Sequence, residues 1–101
     1  MRTIVLFCAA GMSTSLLVTK MREASKKEGY DCKINAYSLD ELAVEGSEAD
    51  IILLGPQVRF QLKAVKEQFP DKKVCLIDSI AYGMMDGKKV LASVKWELGD
   101  E

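Results

Sequence analysis

Cys8 stands where a short apolar run, Ile4-Val5-Leu6-Phe7, stops and a different composition begins. Ala9, Ala10, Gly11, Met12, Ser13, Thr14 and Ser15 follow, and a helix-like pattern opens at Leu16-Leu17-Val18. The order reads as strand, phosphate-sized loop, helix. The first N–H groups of a helix have no intrahelical acceptor, and the helix dipole places partial positive charge there. An anion can sit on those N–H groups, and a thiol beside them loses its proton more easily. One loop therefore offers a nucleophile together with a cradle for oxyanions.

Each of these residues also has an ordinary structural reading. A cysteine at the end of a buried strand can be no more than a small apolar side chain. The loop after Cys8 favours a functional thiolate, because it has no bulky β-branched side chain except Thr14 and enters the helix through three hydroxyls. Ser13, Thr14 and Ser15 fit helix N-caps as well as phosphate ligands, and both readings stay open. Gly11 permits an unusual backbone angle, which a phosphate-binding nest also requires. Cys32 and Cys75 lie inside strand patterns and read as core. Met12, Met84 and Met85 read as gap fillers or contact surface.

The elements that must position Cys8 follow from hydrophobic periodicity. Four strand-like runs, Thr3 to Phe7, Asp31 to Tyr37, Ala49 to Leu54 and Val74 to Ile77, alternate with helix-like segments. In the first helix Leu17, Met21 and Ala24 share a face, and Gly29 marks its end. The second run alternates, with Cys32, Ile34 and Ala36 on one side, as a half-exposed strand near an edge does. Ser38-Leu39-Asp40-Glu41 fits a capping box for a short helix ending near Gly46. Apart from Asp50, Ala49 to Leu54 is a continuous apolar run, as a central parallel strand is, and Gly55-Pro56-Gln57 breaks it. Val58, Leu62, Val65 and Phe69 recur at helical spacing until Pro70. Asp78 to Met85 reads as a loop with room for one helical turn. Asp86 caps a last helix whose buried stripe is Val90, Leu91, Val94 and Leu98.

Alternating strands and helices with short connections give an α/β fold, a parallel sheet with helices on both faces. Ligands of such sheets bind beyond the carboxyl ends of the strands. The segments Cys8 to Ser15, Gly55 to Val58 and Asp78 to Gly83 converge there. Gln57, Asp78 and Tyr82 thereby become secondary candidates, at the edge of the site or facing a partner.

Composition narrows the chemistry. At 101 residues the chain is expected to form a single domain, residues 1–101. A net charge of −1 leaves no electrostatic footprint for nucleic acid. No apolar run approaches the roughly 20 residues of a membrane span. The N-terminal apolar run is too short for a secretory signal, so a cytoplasmic protein is expected. Three cysteines without C-x-x-C spacing, and no histidine, speak against a disulfide framework, a metal site and a Cys-His hydrolase. No cofactor is expected.

The run Leu6-Phe7-Cys8-Ala9-Ala10-Gly11-Met12-Ser13-Thr14-Ser15-Leu16-Leu17-Val18 resembles the enzyme IIB component of bacterial sugar phosphotransferase systems. The likeness is strongest to the cellobiose and chitobiose branch of the lactose/cellobiose family. It continues through Ala49-Asp50, Leu53-Leu54-Gly55-Pro56-Gln57, Ile77-Asp78-Ser79 and Tyr82-Gly83. The resemblance implies a three-layer αβα fold with a four-stranded parallel sheet in the order 2-1-3-4, similar to low-molecular-weight tyrosine phosphatases. It implies a phosphotransferase role, in which Cys8 accepts a phosphoryl group from a phosphohistidine of a IIA partner. Cys8 would pass that group to a β-linked disaccharide bound by the membrane IIC partner. Ala9, Ala10, Gly11, Met12, Ser13, Thr14 and Ser15 match the family's phosphate-binding loop.

A cysteine phosphatase, a thiol redox protein and an anion-sensing module are the competing readings. The phosphatase loop carries arginine at the sixth position after its cysteine, and here that position is Thr14. The planar fork that clamps a transferring phosphoryl group is therefore missing. A redox protein wants a resolving cysteine near Cys8, whereas Cys32 and Cys75 read as core.

Overall fold

Ile4-Val5-Leu6-Phe7 is apolar on both sides of the pleat, so it is stable only with cover on both faces. The computed structural model, which describes residues 1–8 and 12–100, supplies that cover. Strands β1 (Arg2–Cys8), β2 (Cys32–Ser38), β3 (Ile51–Leu54) and β4 (Lys73–Leu76) form one parallel sheet in the order β2-β1-β3-β4. The helices are α1 (Met12–Glu28), α2 (Leu42–Ser47), α3 (Leu62–Gln68), α4 (Ser79–Gly83) and α5 (Gly87–Leu98). Ile4 and Leu6 point into a core with Leu17, Met21, Val90, Leu91 and Val94 beneath α1, α4 and α5. Val5 and Phe7 point the other way, into a core with Ile52, Leu54, Val58 and Val65 beneath α2 and α3. Burying each such side chain contributes about 1.5–3 kcal/mol, so the two apolar faces of β1 hold the three layers together.

The expected strands appear within two residues at every end, and β2 and β4 are the sheet edges. Edge position explains why Cys32 and Cys75 are only partly buried although they pack against the core. Gly29 and Gly99 both adopt positive φ where helices stop. Asp86 caps α5 by accepting from the Lys89 N–H at 3.1 Å.

Two local expectations are corrected. The Ser38 capping box does not form. Ser38 ends β2 in register with Cys8, its hydroxyl makes no cap bond, and the chain enters α2 through a 3-10 turn, Leu39–Glu41. The helix expected from Val58 onward is divided, with a 3-10 stretch over Pro56–Gln61 kinked at Val58 before α3. Helix α2 ends at Ser47, near Gly46 as expected. A Cβ at position 46 would stand 2.9 Å from the Phe69 ring, so space and not helix termination calls for glycine.

A polar strap ties the chain's two ends together. Arg2 Nε and Nη2 donate to the two carboxylate oxygens of Asp100, each at 2.9 Å, and the Tyr30 hydroxyl donates to the same carboxylate. The Arg2 bonds, then the Tyr30 bond, lower the Asp100 pKa from 3.8 to about 2. Burial, and then the Asp100 carboxylate, push the Tyr30 hydroxyl well above its ordinary value. A depressed carboxylate stabilises the fold at pH values above its unfolded pKa, and that contribution fades as pH falls through the folded value. Asp100→Asn is therefore expected to lower the urea midpoint at pH 6, with the difference shrinking below about pH 4 and vanishing only below about pH 2. A difference that stays constant across that range would show that the carboxylate's charge is not what the strap uses.

Candidate functional site

Three chain segments leave the sheet at the carboxyl ends of adjacent strands, and Cys8 is the last residue of the first of them. Period-two alternation places Cys8 on the same face as Ile4 and Leu6, the face that α1 covers. Its strand neighbour on one side is Ser38, and its exposure is only 2%. Helix α1 begins at Met12, so Ser13, Thr14 and Ser15 occupy its first turn rather than its N-cap. First-turn N–H groups are those without intrahelical acceptors. Ser15 is exposed, and its carbonyl accepts from the Thr19 hydroxyl at 3.1 Å. Ala9, Ala10 and Gly11, with the side chains of Met12, Ser13 and Thr14, lie outside the described residues.

On the other side of Cys8 the chain leaves β3. The Gly55 N–H donates to the Phe7 carbonyl at 2.9 Å, and the Ile77 N–H donates to the Leu54 carbonyl at 2.9 Å. These bonds carry the ladder one step past the strands, holding the β3 exit beside β1 and the β4 exit beside β3. Gln57 Nε2 then donates to the Tyr82 hydroxyl at 3.2 Å, joining the β3 exit to α4. Asp78 Oδ2 accepts from the Ala81 N–H at 2.9 Å and caps α4. A cavity of about 210 Å³ opens between these exits, lined by Pro56, Arg59, Leu76, Ile77, Asp78 and Ser79.

The sequence candidates are thus brought together with differing roles. Cys8, Gln57 and Tyr82 belong to one edge, whereas Asp78 is engaged in capping. Tyr82 is 7% exposed, so its ring packs inward and α4 turns Ile80 and Met84 to the surface instead. Burial pushes the Cys32 and Cys75 thiols above their ordinary range, which leaves both as poor nucleophiles at neutral pH. Among the described residues no cluster of three potential metal ligands occurs, and no helix is long and apolar enough to cross a membrane.

Of the exposed apolar side chains around this edge, sequence reading singled out only Met84, as a gap filler or contact surface. Leu16 in α1, Phe60 in the turn after β3, and Ile80 and Met84 at α4 are all at least half exposed. An interruption of helical periodicity by a large apolar residue was the available signal, as at Leu16 beside buried Leu17.

A sequence model described as "PTS system, Lactose/Cellobiose specific IIB subunit" matches residues 3–93. The chain is 45% identical to the "PTS system oligo-beta-mannoside-specific EIIB component" of Bacillus subtilis (strain 168), over 88% of each chain. It is also 45% identical to the "PTS system galactose-specific EIIB component" of Lactococcus lactis subsp. cremoris (strain MG1363), over 93% of this chain and 94% of that one. Among solved structures, the cellobiose-specific phosphotransferase IIB component of Borrelia burgdorferi superposes with a TM-score of 0.74 at 36% identity, covering 90% of this chain and 85% of that one.

Proposed function

The chain belongs to the lactose/cellobiose-specific IIB family of phosphotransferase systems, and from that premise we propose that Cys8 is its phosphoryl acceptor. The placement of Cys8 carries this reading: a thiol at the end of an inner strand, ahead of the N-terminus of α1, with Gly55 packed on its far side. IIB components are phosphotransferases, and this chain acts as one. We take residues 1–101 as one IIB domain working in the cytoplasm.

The Cys8 sulfur attacks the phosphorus of a phosphohistidine on the IIA partner. The S–P bond forms as the thiol gives up its proton, the P–N bond breaks, and its electron pair returns to the imidazole nitrogen, which takes up a proton in exchange. In the second transfer a sugar hydroxyl oxygen on the IIC partner attacks the same phosphorus. The S–P pair returns to sulfur and the hydroxyl proton is released. Backbone N–H groups from Ala9 to Ser15, with the hydroxyls of Ser13, Thr14 and Ser15, hold the phosphoryl oxygens as charge redistributes. Gln57, Asp78 and Tyr82 border the site. No arginine stands at position 14, so nothing in the loop clamps the phosphoryl group for attack by water, which suits a carrier.

The sugar is proposed to be a β-linked disaccharide of the cellobiose or chitobiose type. Relatives of equal similarity carry the names oligo-beta-mannoside and galactose, and the sugar itself meets the IIC partner. Intact-mass measurement after incubation with phosphorylated IIA protein tests the central step. One added phosphoryl group on Cys8 is expected, and an anion sensor would gain no covalent mass.

The two partners must reach the same sulfur in turn, so their footprints overlap. The exposed Leu16, Phe60, Ile80 and Met84 supply apolar contact area for a transient interface of modest size. Titration with unphosphorylated IIA is expected to shift amides of residues 12–18, 55–60 and 79–84. Shifts confined to the opposite edge, around Gly29 and Pro70, would contradict this docking face.

A further inference from the structure

Gly55 sits at the point where the thiol and the Gln57–Tyr82 bridge meet. Its backbone, φ −65 and ψ 155, is open to any residue, so conformation does not explain the glycine. Space does. A Cβ at position 55 would lie 2.9 Å from Gln57 Oε1 and 3.3 Å from Cys8 Cβ, with the Phe7 carbonyl at 3.6 Å. The bare Cα therefore lets the Gln57 amide fold back over the β3 exit, while Cys8 packs against the same atom. From there Gln57 Nε2 reaches the Tyr82 hydroxyl at 3.2 Å. Tyr82 is held within α4, whose ring side packs in the core beneath α1 and α5. Gly55 thus lies between the Cys8 Cβ and the Gln57 amide, which is bonded onward to the Tyr82 hydroxyl.

We propose that Gly55, Gln57 and Tyr82 form a positioning unit that fixes the Cys8 side chain for in-line phosphoryl transfer. The inference rests on Cys8 being the phosphoryl acceptor. None of the three residues supplies a nucleophile or a proton. The Gln57–Tyr82 bond anchors the β3 exit to a buried ring, and the exit in turn forms the wall against which Cys8 is set. In-line attack needs the sulfur placed to within a fraction of an ångström, and misplacement by about 1 Å can lower a rate roughly 100-fold. The unit therefore acts chiefly on the rate of the bound complex, although exposed Gln57 also lies within the docking face.

Gln57→Ala and Tyr82→Phe remove the two ends of the bond without adding bulk. Gly55→Ala displaces the Gln57 amide and presses on Cys8. Single-turnover transfer from phosphorylated IIA is measured against IIA concentration for each variant, for Gln57→Ala/Tyr82→Phe and for Gly55→Ala/Gln57→Ala. Each single variant is expected to lower the saturating rate about 10- to 100-fold, with a much smaller change in the half-saturating concentration. The Gln57→Ala/Tyr82→Phe pair is expected to be no slower than its slower member, because both act through one bond. Gly55→Ala/Gln57→Ala is expected to match Gly55→Ala alone. In the unphosphorylated protein the Cys8 Cβ resonance is expected to move in every variant while those of Cys32 and Cys75 stay in place. Additive losses, a change in half-saturating concentration alone, or an unmoved Cys8 resonance in Gln57→Ala and Tyr82→Phe would overturn the positioning unit. Wild-type protein that takes no label overturns the carrier reading, and the Cys8 resonance then decides the packing by itself.

Discussion

A Cys8→Ser protein is expected to fold and to take up no phosphoryl group from phosphorylated IIA. Serine is nearly isosteric with cysteine, so the end of β1 keeps its shape and its pairing with Ser38. Cys8 is 2% exposed, and a hydroxyl there in place of sulfur costs about 1–2 kcal/mol of stability if it is imperfectly paired. Reactivity suffers far more. A serine hydroxyl is barely ionised at neutral pH, and no histidine exists anywhere in the chain to serve as its base. A loss of at least roughly 1,000-fold is expected, equivalent to about 4 kcal/mol of barrier at 1.36 kcal/mol per decade. Circular dichroism and a urea melt check the fold, and mass spectrometry after incubation with the donor checks the transfer. Cys32→Ser and Cys75→Ser are expected to label at the wild-type rate, since their thiols lie on edge strands away from α1's N-terminus. Wild-type labelling of the Cys8 variant, or equal loss in either other variant, would remove Cys8 from its role.

The largest effect on stability is expected from Gly87→Ala. Gly87 opens α5 where that helix crosses α1, and a Cβ there would stand 2.4 Å from the Lys20 carbonyl carbon and 2.5 Å from the Met21 nitrogen. Both are backbone atoms of a helix interior, so neither can swing aside as a side-chain end could. The two helices must separate, and the core beneath them, with Leu17, Met21, Val90, Leu91 and Val94, loosens. Overpacking of this kind costs typically 1–3 kcal/mol, and the immobile backbone puts this site near about 3 kcal/mol. Gly83→Ala provides the contrast, because nothing lies within 4 Å of a Cβ there and its φ is not positive. Alanine favours a helix over glycine by about 0.5–1 kcal/mol, so that variant is expected to be neutral or slightly stabilised. Urea midpoints of the two variants decide the matter. Similar midpoints for both would mean that α1 and α5 can adjust to the added methyl group.

Several features were legible in the amino-acid order because they depend on short-range chemistry. Alternation in Asp31 to Tyr37 and the unbroken apolar run Ile51-Ile52-Leu53-Leu54 separate an edge strand from an inner one, since burial on one face or two dictates the pattern. Asp86 ahead of α5 and Gly29 after α1 mark helix ends, because capping and positive φ are properties of a residue and its near neighbours. The strand-to-helix junction at Cys8 is legible for the same reason, because a short apolar run gives way there to small and hydroxylated residues. Asp78 carries a further role that the sequence did not reveal: its carboxylate caps α4. The Ser38 capping box failed because Ser38 belongs to β2, where pairing with β1 sets its backbone.

Tertiary structure decided whatever depends on residues far apart in the chain. Gly46, Gly55 and Gly87 look alike in sequence, yet they are required by a Phe69 ring, by Gln57 with Cys8, and by the backbone of α1. The Gln57–Tyr82 bond and the Arg2–Asp100–Tyr30 strap join positions 25 and 98 residues apart. Local propensity carries no term for such pairings, because the partner is chosen only when the sheet order β2-β1-β3-β4 brings its exits side by side. The exposure of Ile80 and Met84 beside buried Ala81 and Tyr82 has the same origin. Which face of a five-residue helix looks outward is settled by the core it packs on, not by its own composition.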